Sequence, residues 1–459
     1  MPTLLSDIIR IFTYVIFTYF ITLNLWYFVL NIIAYRGLRK HMLRLEIAEP
    51  EDRLLMRSAP PVTLLTPAFN ESDTCVSSVQ SQLKIQYRDI RILFINDGST
   101  DDTLEKMIRT FDMVPAFLPQ TSHLKTRPVK KIYQSRSHPE LWLIDKENGK
   151  KADALNVGIN YCQTPLFCAI DNDSMLEQDS ISRVVAPFIE DTRTVVSGGI
   201  IRIANGCTFE NGHITKVDLP RNLLAKFQVV EYLRAFYGGR LSWDVLNASL
   251  IISGAFGVFR HSLVVAAGGY QEKTIGEDME LIVRLHKYCA DHKIPYRIRF
   301  IPDPIAWTEG PVSLKKLGRQ RDRWQRGLID SVRSHFDMMF RPRYKNVGLL
   351  AMPFYFIYEM LGPLIEMTGY LLFFFLLILG YANTTFIVAF LLVAVVMGIT
   401  LSVFSLILEE MSFHRYPKFR HILQLIGIAV IENIGYRQIN SWWRIRGTYS
   451  YLKKNQNWY

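Results

Sequence analysis

The sequence predicts an α/β domain on an open, mostly parallel sheet, inserted between transmembrane and interfacial α-helices. Long uncharged apolar runs stand at both ends of the 459-residue chain. Between them short apolar runs alternate with helical patterns, as repeated βαβ units do. Each of these runs feeds a polar loop, and in such sheets ligands bind beyond the carboxyl ends of the strands.

Residues 8–35 are the first element, a transmembrane helix. From Ile11 to Tyr35 no Asp, Glu, Lys, Arg or His interrupts IFTYVIFTYFITLNLWYFVLNIIAY, a run longer than the roughly 20 residues that cross a bilayer. It is too long for the apolar part of a signal peptide, and no small-x-small cleavage site follows. Arg36, Arg39, Lys40 and Arg44 come next, against Arg10 alone before it. The positive-inside rule then puts the N-terminus outside and the following residues in the cytoplasm, with the plasma membrane as the expected location.

Residues 45–344 form the cytosolic domain. Val62–Thr66, Ile90–Ile95, Leu141–Ile144 and Leu166–Ile170 are its clearest buried strands, while Phe111–Pro139 and Asn205–Arg221 read as long loops. Residues 347–361 stop at Gly362-Pro363 and carry Glu359, which predicts a helix lying in the interface. Met367–Leu408 has no charge and as one helix would run ~63 Å. Residues 364–408 therefore fold into a transmembrane hairpin that turns at GYANTT, Gly380–Thr385. Residues 418–459 complete the chain as basic interfacial helices at the cytosolic face. Making His421–Arg437 a further span would place Arg437, Arg444, Arg446, Lys453 and Lys454 outside.

With 49% hydrophobic and 21% charged residues, the chain is too apolar to be disordered. Its net charge of +11 comes from the membrane flanks. Arg36, Arg39, Lys40 and Arg44 supply one part, and the eight Lys or Arg of Met411–Tyr459 against Glu432 alone supply the rest. That distribution implies an anionic lipid bilayer as partner and no nucleic acid. Five cysteines without paired spacing indicate neither a disulfide framework nor a zinc site.

Four loops carry chemistry: PAFNES from Pro67, NDGSTDDT from Asn96, NGKKADALN from Asn148 and DND from Asp171. Asp171 and Asp173, two apart at a strand end, share a side and can converge on one hard cation, which completes its shell with phosphates. A lone DxD also serves as a cap or solvated turn. Asp97 suits a base N–H or an Asx turn. Phe69 suits base stacking or the core. Lys151 suits a diphosphate or open solvent.

Taken in order, PAFNES, NDGSTDDT, GKKADALN, DND, SGAFGVFR from Ser253, GED from Gly276 and QRDRW from Gln320 resemble the membrane-embedded family-two glycosyltransferases, the group of the cellulose, hyaluronan and poly-N-acetylglucosamine synthases. The match runs from Pro61 to Gly327. The resemblance implies a GT-A fold, a Rossmann-like nucleotide-binding domain, and a UDP-sugar donor, UDP-N-acetylglucosamine or UDP-glucose, with Mg2+ or Mn2+. It places Phe69 and Glu71 at the base, Asp97 at the uracil edge, Lys151 and Asp171 at the nucleotide, and Asp173 with Asp171 at the metal. Asp278 is implied as the general base beside Glu277. Gln320, Arg323 and Trp324 close over diphosphate and acceptor, and Ser253, Gly254 and Phe256 line the acceptor pocket.

QRDRW marks the processive members, so the implied product is a growing β-linked polysaccharide made with inversion. The alternative is one sugar added to a lipid-linked or short glycan acceptor. Two positions depart from the family pattern, Phe69 where tyrosine is common and Gly276 where threonine is usual. Three spans are fewer than those synthases use, so a second subunit or a homo-oligomer would complete a secretion path.

Overall fold

Burial on both faces explains why the four apolar runs read as continuous rather than alternating. The computed structural model describes residues 3–55, 58–210, 213–381, 384–413, 415–416 and 418–453. The expected strands are β1 (Val62–Ala68), β2 (Ile90–Asn96), β5 (Leu141–Lys146) and β6 (Leu166–Ala169), separated in sequence from β1 and β2 by β3 (Met113–Pro115) and β4 (Val129–Ser135). They lie side by side in the order β5-β2-β1-β6, all parallel. Successive residues feed opposite layers. Leu64, Ile92, Phe94 and Leu143 join one apolar core, and Leu65, Leu93, Ile95 and Ile144 join the other. The Lys150–Asn160 helix covers the second face with Leu155, Val157 and Ile159, and each such fully buried side chain contributes about 1.5–3 kcal/mol.

Beyond β6 the sheet departs from the expected parallel order. After β7 (Met175–Leu176), β8 (Thr194–Ile203) and the separate hairpin β9 (Thr208–Glu210) and β10 (His213–Lys216) come β11 (Gly257–Arg260) and β12 (Arg297–Thr308). Strand β11 inserts antiparallel between β6 and β8, whereas β12 runs parallel to β8. The sheet is mixed, with the full order β3-β4-β5-β2-β1-β6-β11-β8-β12-β7. The two segments expected as loops hold β3 with β4 and β9 with β10. Strand β4, VKKIYQS, is only partly buried, and its two lysines hid it from an apolar search.

The N-terminal helix, Thr3–Leu55, outlasts the expected 8–35, and its stretch Ile9–Glu46 is long and apolar enough to cross a membrane. Ile11, Phe12, Val15, Ile21, Leu25 and Phe28 remain exposed on it. Past its basic cluster it docks on the α/β domain, through His41 to Asp303 at 2.9 Å and Arg44 to Glu190. Thr384–Glu410 is the second helix of spanning length. The other hairpin arm, Gly362–Ile378, reaches that length only together with Val347–Met360, to which it is bent by 43°. Asn24 joins the first helix to the second, its Nδ2 donating to the Val393 carbonyl at 3.0 Å.

Phe419–Ile431 is about 20 Å long, short of a hydrocarbon core of about 30 Å. Tyr436–Leu452 packs along Leu314–Ser334, where Gly447 lies against the Asp322 backbone. Ala382 and Asn383 of the expected hairpin turn, and Lys454 with the residues after it, lie outside the described residues.

Candidate active site

The loops after β1 and β2 are laced into one unit. Asn70, at φ 56°, accepts the Thr100 N–H at 2.8 Å. Glu71 N–H donates to Thr103 Oγ1 at 2.9 Å, and Ser72 N–H to Asp101 Oδ2 at 3.1 Å. This lacing holds Phe69 at the sheet edge, where 48% of it stays exposed and a ring face is open to stacking.

Asp97 is buried instead. Its Oδ1 accepts Lys146 Nζ at 2.5 Å and the Gly149 N–H at 2.9 Å. Burial pushes its pKa up, and Lys146 opposes that rise. Lys146 ends β5, is wholly buried, and also pairs with Asp153 Oδ2 at 2.6 Å. Sequence reasoning missed Lys146 and Asp153. The available signal was a lysine closing the apolar run LWLID, which needs a buried partner.

The DND segment is a turn rather than a strand end, since β6 stops at Ala169 and the Ser174 N–H closes back on the Asp171 carbonyl at 3.0 Å. The missed residue here is Asn172, buried between the two carboxylates. Its Nδ2 donates to Thr74 Oγ1 at 2.9 Å and Glu71 Oε2 at 3.3 Å. The same Glu71 oxygen accepts Thr74 Oγ1 at 2.7 Å, so Glu71, expected at the base, positions the DND turn.

Burial pushes the Asp173 pKa up, and the charge of Asp171 adds to the rise. Among the described residues no group of three or more His, Cys, Asp or Glu converges as a closed metal cage. Two crowded carboxylates nonetheless fit a Mg2+-like ion, which takes one or two from the protein and the rest from water and phosphates.

Lys151, Asp171, Glu277, Asp278 and Gly254 come together. Lys151 pairs with Asp171 and lies 3.8 Å from Glu277 Oε1. Burial alone would lower the Lys151 pKa, but Asp171 and Glu277 outweigh it and keep the ammonium charged. Glu277 is buried, which raises its pKa against the pull of Lys151 and Arg323. Asp278 Oδ2 accepts the Gly254 N–H at 3.3 Å. A Cβ on Gly254 would sit 3.4 Å from both Asp278 Cβ and Lys151 Nζ, so the Ser253-Gly254 loop caps the site. Phe256, expected at an acceptor pocket, is completely buried in the core and offers no face to a ligand.

QRDRW lies on the Leu314–Ser334 helix. Gln320, Arg323 and Trp324 share one face by their three- and four-residue spacing, with Trp324 44% exposed. Arg321 is buried. Its guanidinium stands 4.3 Å over the Trp324 ring and 2.8 Å from Glu231, which fixes the indole. Three residues past Trp324, Gly327 meets Gly276, where an added Cβ would be 2.9 Å from the Gly327 Cα. That contact, at the start of the Glu277–Asp291 helix, leaves no room for a side chain at Gly276.

A parallel α/β core, an acidic turn at its carboxyl edge and a carboxylate opposite are the arrangement of a glycosyltransferase of GT-A fold. Residues 166–403 match Glycosyl transferase family group 2, and residues 63–114 match Glycosyl transferase family 2. The chain belongs to this family. It is 28% identical over 267 residues, 58% of this chain and 54% of the other, to poly-beta-1,6-N-acetyl-D-glucosamine synthase of Staphylococcus aureus (strain MSSA476). The match thus spans about half the length of that relative. It is 26% identical over 347 residues, 74% of this chain and 73% of the other, to the probable glycosyltransferase YdaM of Bacillus subtilis (strain 168). The fold aligns, with a TM-score of 0.55 and 13% identity over 96% of this chain and all of the other, with the mannosyltransferase PcManGT from Pyrobaculum calidifontis, solved with GDP-Man and Mn2+.

Gly276→Thr, which installs the usual family residue, is expected to lower stability by about 1–3 kcal/mol through overpacking and to slow transfer. Thermal midpoint and transfer rate read both effects. An unchanged midpoint would mean that the two helices have room to part.

Proposed function

We propose that the chain is a membrane-bound, inverting, processive β-glycosyltransferase. It takes sugar from UDP-N-acetylglucosamine or UDP-glucose and adds it to a growing polysaccharide. The observation that carries this reading is the placing of Lys151, Asp171 and Asp278 around one point under the Gly254 loop, with an exposed Trp324 on a helix seated against Gly276.

Phe69 stacks on the base. Lys151 and Arg323 meet the negative charge that grows on the departing diphosphate, which is electrostatic stabilisation of the transition state. Asp171 and Asp173 would hold Mg2+ or Mn2+, which supplies further charge neutralisation at the diphosphate. Asp278 takes the proton of the acceptor hydroxyl, and one such base suffices for inversion without a covalent sugar-enzyme intermediate. Trp324, held by Arg321, gives the acceptor sugar an apolar face to lie on.

The N-terminus lies outside the plasma membrane and the catalytic domain in the cytoplasm. Residues 8–35 of the N-terminal helix, the bent pair and Thr384–Glu410 serve as the three spans, and Phe419–Ile431 lies in the interface. The test is UDP release by the purified full chain across a panel of UDP-sugars, followed by product sizing. Long products from one UDP-sugar are expected. Products carrying a single added sugar would replace processive synthesis by transfer to a lipid or short glycan.

A further inference from the structure

A cavity of about 280 Å3 opens between the segment after β10 and the start of the Phe419–Ile431 helix, well apart in sequence from every residue assigned to catalysis. Arg221, Lys226, Lys418 and Arg420 line it, against a single carboxylate, Asp218. That carboxylate is already engaged, by Lys418 at 3.3 Å and by the buried His421 at 3.0 Å. Among the described residues Arg221, Lys226 and Arg420 have no acidic partner. Cations gathered with so little counter-charge repel one another unless an anion joins them.

The rim is apolar. Phe419 is 72% exposed and Leu423, one turn on, is 54% exposed, while Leu223, two residues after Arg221, is half exposed. A soluble phosphoester would join the cations and leave these neighbouring apolar side chains in water. An amphiphile satisfies both.

We propose that this pocket binds the phosphodiester headgroup of an anionic phospholipid, with its acyl chains against Phe419 and Leu423. Lys226 lies on the Leu223–Leu233 helix. Near the other end of that helix, Glu231 holds Arg321 at 2.8 Å and the Tyr436 hydroxyl at 2.9 Å. A lipid seated on Lys226 therefore braces the helix that carries Trp324. The proposal rests on the chain lying in a membrane and is independent of the donor sugar and of processivity.

The test uses the full chain, delipidated in an uncharged detergent. Native mass spectrometry and thermal midpoints are recorded with phosphatidylglycerol, with phosphatidylcholine and with inorganic phosphate. Phosphatidylglycerol alone should raise the midpoint and leave one tightly retained lipid. In the triple variant Arg221→Gln, Lys226→Gln, Arg420→Gln its binding should weaken about 100-fold, at roughly 1 kcal/mol per cation. UDP binding by that variant shows that the domain is folded, and keeps failure of the lipid site distinct from failure of the catalytic reading. An equal shift with phosphatidylcholine, an equal shift with inorganic phosphate, or a variant that responds like the wild type would each overturn the proposal.

Discussion

Asp278→Asn is expected to cut UDP release by about 10²–10⁴-fold, the usual worth of a positioned base, with UDP binding unchanged. The substitution is nearly isosteric. An amide oxygen can still accept the Gly254 N–H that Asp278 Oδ2 accepts at 3.3 Å, so the loop keeps its place while the proposed proton acceptor is removed. Glu277 is poorly placed to substitute, being buried and committed to Lys151. Single-turnover rates beside calorimetric UDP affinity separate the two quantities. Turnover at the wild-type rate would remove Asp278 as the base, and lost UDP affinity would make it a structural residue.

Lys146→Met should produce the largest loss of stability of any single substitution considered. The methionine fills similar volume, but Asp97 and Asp153 lose the cation that stands 2.5 and 2.6 Å from them. Breaking a buried pair in this way costs about 3–5 kcal/mol, a large fraction of the 5–15 kcal/mol that holds a typical domain together. The deficit has a definite pH dependence. Burial already raises the Asp97 pKa above its ordinary value, and without the lysine it rises further. A carboxyl whose folded pKa lies above its unfolded one favours the fold when protonated and loses that advantage as pH rises through the folded value. The variant should therefore fall furthest below wild type near pH 8 and recover part of the gap near pH 5. Adding Asp153→Asn should restore part of the midpoint at pH 8. A gap independent of pH would mean that packing, not charge, is what Lys146 supplies.

What could be read without coordinates follows from which residues act locally. The parallel strands β5, β2, β1 and β6 were legible because burial on both faces writes four unbroken apolar runs. Strand β11 is only four residues long, and β12, RIRFIPDPIAWT, carries two prolines and a register break between Phe300 and Ile305. Neither leaves a clean pattern, and the antiparallel insertion between β6 and β8 went unseen. At the site, Phe69, Lys151, Asp171, Asp173, Asp278 and Trp324 stood in recognisable motifs. Lys146, Asp153 and Asn172 work through partners dozens of residues away, or across a loop, and no spacing announces them. Gly276 stood out as a departure, but Gly327, which it meets, stands on another helix.

The N-terminal helix has a consequence of its own. It runs through the uncharged stretch Ile11–Tyr35 and then engages Asp303 and Glu190 through His41 and Arg44 without leaving helical geometry. Among the described residues no loop interrupts the helix between its uncharged stretch and the α/β domain. At 1.5 Å and 100° per residue, the rod sets both the distance of the α/β domain from the uncharged stretch and its bearing about the helix axis. Adding or removing one residue between Tyr35 and His41 would swing the two ends by about 100° about the rod and pull Leu38 out of the apolar core it shares with β1 and β2.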